Sequence, residues 1–231
     1  MRIAILAIAA LLITAAPAGA QVGEMARNII TTHGVGEVEV APTQAVVTVG
    51  AQVQRPAAAD AGAEVSRIAD QVLARLQALG IRRQDVRTSG VQLTPVFSTP
   101  REGAPQVVGY RATYTLTVTV TDLRQVGPVI DEAVKAGANQ VQGVGFGLRD
   151  DTEARREALT RAVRDARDKA DTIARAAGLQ LKGIVQITEE FVGLETRAMG
   201  RAVPAAPQNV PTPIEPGLIN VTARVTIVFG Y

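Results

Sequence analysis

The chain has no cysteine and no tryptophan, a single histidine, three lysines and only seven aromatic residues in 231. Without cysteine there is no disulfide scaffold, thiol nucleophile or thiolate-bound zinc. With His33 as the sole imidazole, a Ser-His triad would have to use that one residue, and a multi-histidine metal centre cannot be built. The 24 Lys+Arg and 22 Asp+Glu are interspersed, with no block of five or six like charges, so the electrostatic footprint of a nucleic-acid binder is missing and no nucleic-acid partner is expected. What is present is a folding composition, 47% hydrophobic and 20% charged, long enough to bury roughly 70% of its unfolded surface without staples.

The N-terminus reads as an address. Met1 and Arg2 give a basic start, Ile3 to Ile13 is almost wholly apolar, and Ala18-Gly19-Ala20 supplies the small residues a signal peptidase reads, so residues 1–20 are expected to be a signal peptide. An apolar run of about 11 residues is too short for the ~20 of a spanning helix, so no membrane span is expected after cleavage. Loss of Arg2 leaves 23 basic against 22 acidic residues. An exported chain without cysteine suits a bacterial periplasm, and the Asn220-Val221-Thr222 sequon is then chance.

Period-two patterns mark the strands. From Val107 to Thr121, Val108, Tyr110, Ala112, Tyr114, Leu116, Val118 and Val120 alternate with Arg111 and a row of threonines, which predicts a half-buried strand in an extended hairpin with its tip near Ser98 to Pro105. Val221 to Phe229 repeats the pattern, as does Ala45 to Val53, whose phase is inverted relative to Val38 and Val40; Pro42 sits at the switch and suggests a bulge or edge position. Three amphipathic helices are expected over Ala57–Leu79, Leu123–Ala136 and Asp151–Ala177, each ending at a glycine. The third carries an i,i+4 ladder, Glu157-Arg161-Asp165-Lys169, a capping pair Asp150 and Glu153, and an apolar stripe of Leu159, Val163, Ala166, Ala170, Ile173 and Ala177. Half of that stripe is alanine, so the helix can approach a partner closely. The second helix is expected to bury Val126, Val129, Ile130, Ala133 and Val134.

Further strands follow each helix, over Asp85–Phe97, Gln140–Leu148 and Leu181–Val192. The order β-α-β-β-α-β-α-β-β, with strands adjacent in sequence, specifies an α+β fold of long antiparallel strands with three amphipathic helices packed on the sheet. Five of the twelve prolines lie between Pro204 and Pro216, so residues 193–216 read as a mobile Pro-rich loop before the last strand.

Candidate chemistry is sparse. Gly34-Val35-Gly36 precedes a strand rather than linking strand to helix, so it reads as glycine flexibility at a strand start and not as a phosphate loop. His33 could relay a proton or weakly hold a metal, but one exposed histidine usually does neither. Asp150, Asp151 and Glu153 are accounted for by helix capping, and Glu189-Glu190 has no partner carboxylate that the sequence places. The threonine row Thr113 to Thr121 could line a wet channel in an assembly, although plain solvent exposure suffices to explain it.

Taken in order, His33-Gly-Val-Gly-Glu-Val-Glu-Val-Ala-Pro42, Asp85-Val-Arg-Thr88, Leu93-Thr-Pro95, Gly109-Tyr-Arg-Ala112, the Asp122 to Gly137 helix ending in Ala-Gly-Ala, and Ala158 to Gly178 followed by Gly183-Ile-Val resemble the SIMPL-domain family, from about Ile29 to Tyr231. The resemblance implies an exported bacterial protein, in some members called a periplasmic immunogenic or outer-membrane protein, with some members linked to oxidative-stress tolerance and at least one forming a large hollow oligomer. It carries no catalytic residues over. The expectation is thus a SIMPL domain over residues 29–231: a non-enzymatic periplasmic protein, associated with the outer membrane, that self-assembles as a homo-oligomer and serves envelope maintenance or stress tolerance. An envelope protein partner is the other interaction foreseen. The alternative is a peripheral component of an outer-membrane channel or transport complex. No catalytic, cofactor-binding or metal residue and no cofactor is assigned. With no cysteine and only Met25 and Met199 left after processing, stress tolerance would not run through the chain's own redox chemistry.

Overall fold

The computed structural model describes residues 28–98, 103–196 and 214–231; the expected signal peptide and most of the expected Pro-rich loop lie outside the described residues. The elements are β1 (Ile29–Val40), β2 (Gln44–Arg55), α1 (Ala58–Ala78), β3 (Val86–Phe97), β4 (Val107–Val120), α2 (Val126–Lys135), β5 (Gln140–Gly147), α3 (Thr152–Ala176), β6 (Gly183–Thr196) and β7 (Ile219–Gly230). This is the order expected from the sequence, with the first strand in two lengths. All strand pairing is antiparallel, in two sheets: β1-β7-β6, and β3-β4-β2-β5.

The phase inversion at Pro42 therefore has a cause other than a bulge. The chain leaves the three-stranded sheet at Val40 and enters the four-stranded sheet at Gln44, and each strand turns its own apolar set toward its own helix layer. Thr43 holds the crossing, donating its N–H to Gly147 O (3.0 Å) and accepting from Arg149 N at its hydroxyl (2.8 Å).

On the four-stranded sheet, Ala45, Val47, Val49, Leu116, Val118 and Val120 meet Val65, Val72 and Leu76 of α1 and Val126, Val129 and Ala133 of α2, all buried. Val134, expected in this core, is 49% exposed because it faces away from the sheet side of α2. Among the described residues nothing covers the opposite face of the sheet; Thr48, Ser89, Gln92, Thr113, Thr115, Thr117 and Gln142 line an open trough of about 470 Å³ there. The β3–β4 hairpin arm extends past the helices and leaves Val91, Leu93, Phe97, Val107 and Val108 exposed.

On the three-stranded sheet, Ile219, Val221, Ala223, Val225, Ile227 and Phe229 of β7 are buried against α3. The buried face of α3 is Ala158, Ala162, Ala166, Ala170 and Ala174; of the expected stripe Ala166 and Ala170 lie on it, whereas Leu159 and Val163 sit at its flank, Ile173 is 47% exposed and Ala177 is exposed. The reason lies on β1. A Cβ added at Gly34 would fall 1.9 Å from Ala162 O, and one at Gly36 would fall 2.0 Å from Ala158 O. The two glycines are placed for close backbone approach rather than flexibility, and their φ angles are not positive. A helix this close has room for alanine only, so the larger residues rotate off the seam.

Two other expectations change. The strand β6 continues through Gly193 to Thr196 instead of stopping at Val192, and at Gly193 the ring of Phe191 lies where a Cβ would be. The expected capping pair at α3 does not form: the N-cap is Asp151, whose side chain makes no capping bond, Asp150 Oδ1 accepts from Thr152 N (2.9 Å) in an Asx turn ahead of the helix, and Glu153 turns outward to Arg156.

Candidate functional site

Strand pairing brings together what the sequence keeps apart. On the face of the three-stranded sheet away from α3, His33 of β1 lies beside Thr226 of β7, 193 residues later, with Nδ1 2.7 Å from Oγ1. Thr226 Oγ1 in turn contacts Glu190 Oε1 of β6, whose carboxylate is 3.6 Å from His33 Nδ1. A bulge between Glu189 and Phe191 leaves Glu190 without a partner on β7 and turns its side chain onto Thr226. Next in the row, the Arg224 guanidinium stacks over Phe191 at 5.5 Å. Glu190 thus finds a hydroxyl and an imidazole as partners, not the second carboxylate that acid-base chemistry would need. Neither Thr226 nor the Glu190 contact leaves a local signal in the sequence, because both depend on long-range register.

The hydrogen bonds of this row run in one direction. An ionised Glu190 can only accept, so it takes the single hydroxyl proton of Thr226; the Thr226 oxygen then accepts from a protonated His33 Nδ1. A nucleophilic triad needs the reverse, an imidazole that accepts the hydroxyl proton. The neighbouring Val35 N–H is taken by the Asp165 carboxylate, and the His33 side chain is 72% exposed. The row is a surface polar link that ties three strands together. Asp150, Asp151 and Glu153 do not converge either: they bond Thr152 N, Arg155 Nε (2.7 Å) and Arg156 respectively. Among the described residues no group of three or more His, Cys, Asp or Glu side chains is placed to hold a metal, and no helix is long and apolar enough to cross a membrane.

A second cluster has a clear physical role. Along the outer edge of β1, Arg161 Nη1 donates to Glu37 O (2.7 Å), Val35 N donates to Asp165 Oδ2 (2.8 Å), and Lys169 Nζ donates to His33 O (3.0 Å). The i,i+4 ladder is therefore more than helix support: it occupies three main-chain groups in the middle of an edge that would otherwise accept another strand. The Lys169 ammonium, bonded to Asp165 at 2.7 Å, and after it the Val35 N–H hold the Asp165 carboxyl below the usual aspartate range. A depressed folded pKa means stability present in full above the unfolded value of about 3.9 and lost as pH falls through the lower folded value. The α3–β1 seam is expected to loosen below about pH 4, seen as faster exchange of the Val35 amide. In Asp165→Asn that acid dependence should vanish; an unchanged profile in the variant would contradict the assignment.

The architecture defines a class: an α+β protein of two helix-covered antiparallel sheets whose polar clusters tie strands and cap edges. A family profile named SIMPL, described as a protein of unknown function (DUF541), matches residues 30–229, and the chain belongs to that family. It is 30% identical over 223 residues to the 26 kDa periplasmic immunogenic protein of Brucella melitensis, covering 92% of this chain and 89% of that protein. It is also 26% identical to the uncharacterized protein YggE of Edwardsiella ictaluri, over 100% of this chain and 99% of that one, and 25% identical to YggE of Escherichia coli K12, over 87% and 82%.

Proposed function

We propose that the chain is an exported periplasmic protein that works through surfaces rather than bond chemistry, assembling with copies of itself in the service of envelope maintenance or oxidative-stress tolerance. The leader-like first 20 residues and the periplasmic designation of the Brucella relative support the location. The observation that carries the reading is the quantity of apolar surface left bare on strands: Val91 is 65% exposed, Val185 62%, Val108 55% and Phe97 54%. Exposed apolar strands of this kind, on the β3–β4 arm and on β6, favour interaction surfaces. Light scattering and native mass spectrometry of the mature chain are expected to show a defined oligomer at micromolar concentration; a monomer throughout would remove the assembly.

The second reading, a peripheral component of an outer-membrane channel or transport complex, draws on the trough of Thr48, Thr113, Thr115 and Thr117, whose lining carries hydroxyls and amides, with Arg87 and Arg111 on the same sheet face. It predicts that part of the protein stays with outer membranes after osmotic shock. Complete release into the shock fluid would speak for the first reading.

A further inference from the structure

We propose that β6 is a self-association edge, pairing antiparallel with β6 of a second copy about a two-fold axis at Ile187 to give one six-stranded sheet. The inference rests on the self-assembly reading and names the surface it would use.

The two edges of the three-stranded sheet are treated differently. On β1 the ladder of Arg161, Asp165 and Lys169 takes three outward main-chain groups in the middle of the strand, Glu37 O, Val35 N and His33 O. On β6 the only such contact among the described residues is Arg155 Nη1 to Val192 O (2.9 Å), so the stretch Gly183 to Thr188 has no side chain bonded to its backbone. The helix layer is also short by one strand. A helix is about 10 Å across and strands lie about 4.8 Å apart, so one helix covers two strands. Because α3 lies over β1 and β7, Ile184 and Ile187, which follow the buried face of β7 at Phe229 and Ile227, remain 48% and 52% exposed, and Val185 is 62% exposed.

The composition of this edge selects its occupant. Gly183-Ile-Val-Gln-Ile-Thr188 is uncharged, rich in β-branched residues and free of proline, the kind of segment that adds to another strand when left open. It is bounded by Lys182 at one end and by Glu189-Glu190 at the other. Antiparallel pairing of two copies lays the acidic end of each along the Lys182 end of its partner, whereas parallel pairing would set the acids side by side. The bulges at Val185 and Glu190 leave Gln186 to Glu189 as the regular length between them, and of its two central residues the exposed apolar one, Ile187, takes the axis, with Gln186 facing Thr188 across it. With the middle of β1 occupied by α3 side chains, β6 is the freer edge of this sheet among the described residues. Pairing through it is isologous and closes at two, without propagating into a fibre through this sheet.

The absence of cysteine makes the test direct. Full-length mature Ile187→Cys is expected to form a disulfide dimer under mild oxidation at least ten times faster than Asp70→Cys on the exposed side of α1. Ile187→Lys, which sets two like charges at the axis, is expected to keep its circular dichroism and raise the dissociation constant of this contact at least ten-fold. If the wild type self-associates but Ile187→Lys leaves its mass unchanged and Ile187→Cys reacts no faster than Asp70→Cys, the β6 interface is wrong while self-assembly stands. Loss of association in Ile187→Lys without the Cys crosslink would mean that β6 meets a different surface, another sheet edge or an envelope protein, and would overturn the two-fold. A wild type that is monomeric throughout would remove the self-assembly reading and this interface with it.

Discussion

Gly34→Ala and Gly36→Ala are each expected to destabilise the β1-β7-β6/α3 unit by about 3 kcal/mol or more, at the upper end of what overpacking costs. In an ordinary strand the substitution would help, since alanine loses less conformational entropy on folding than glycine. The sign is reversed here because the new methyl meets the main chain of α3: Ala162 O at 1.9 Å and Ala166 Cβ at 2.8 Å for Gly34, Ala158 O at 2.0 Å and Ala162 N at 2.5 Å for Gly36. No rotamer change relieves a clash with backbone, so α3 must lift from the sheet. Lifting breaks the Thr32 hydroxyl bond to Ala166 O (2.8 Å) and the three contacts along the β1 edge together. Gly145→Ala on β5 is the control, since nothing lies within 4 Å of the added methyl. Urea unfolding followed by circular dichroism would measure all three. A Gly34→Ala variant within about 0.5 kcal/mol of wild type, the range of an inert surface change, would show that the seam is looser than described.

Leu76→Ala is expected to cost about 2–5 kcal/mol, the usual range for removing a large aliphatic side chain from a closed core. Leu76 is fully buried on α1, in the cluster with Val47, Val118 and Val129. That cluster shares no residue with the one beneath α3. The loss should therefore fall on one unit. Hydrogen exchange is expected to accelerate in α1, β2 and β4 while the amides of α3 and β7 keep their protection. Equal acceleration in both would mean that the two cores unfold as a single cooperative body.

Much of the fold was legible because it is written in local periodicity. The alternation of Ala112 to Val120 and of Val221 to Phe229 named the buried faces of β4 and β7, while Val108 at the outer end of the first row is exposed. The helix ends were legible for a similar reason: Gly80, Gly137 and Gly178 all have positive φ, which favours glycine just past a helix. The errors share a cause. Choosing Leu159, Val163 and Ile173 for the core of α3 followed the rule that large apolar residues face inward, and that rule fails where the opposing surface has no side chains. The Gly34-Val35-Gly36 triplet was visible, but its meaning depended on α3, more than 120 residues away. Likewise Glu190 looked partnerless until β6, β7 and β1 were laid side by side.

The sequence by itself determined the exclusions, the α+β class, the order of elements and membership of a family, because composition and short-range periodicity are properties of neighbouring residues. Only the tertiary structure decided that the strands divide into two sheets at Pro42, that two glycines exist to admit a helix, that a charged ladder bonds to one sheet edge, and that among the described residues no side chain bonds to the backbone of Gly183 to Thr188 on the other. Those outcomes follow from the width of a helix against the spacing of strands and from the register between distant segments, neither of which has a period that a linear pattern can carry.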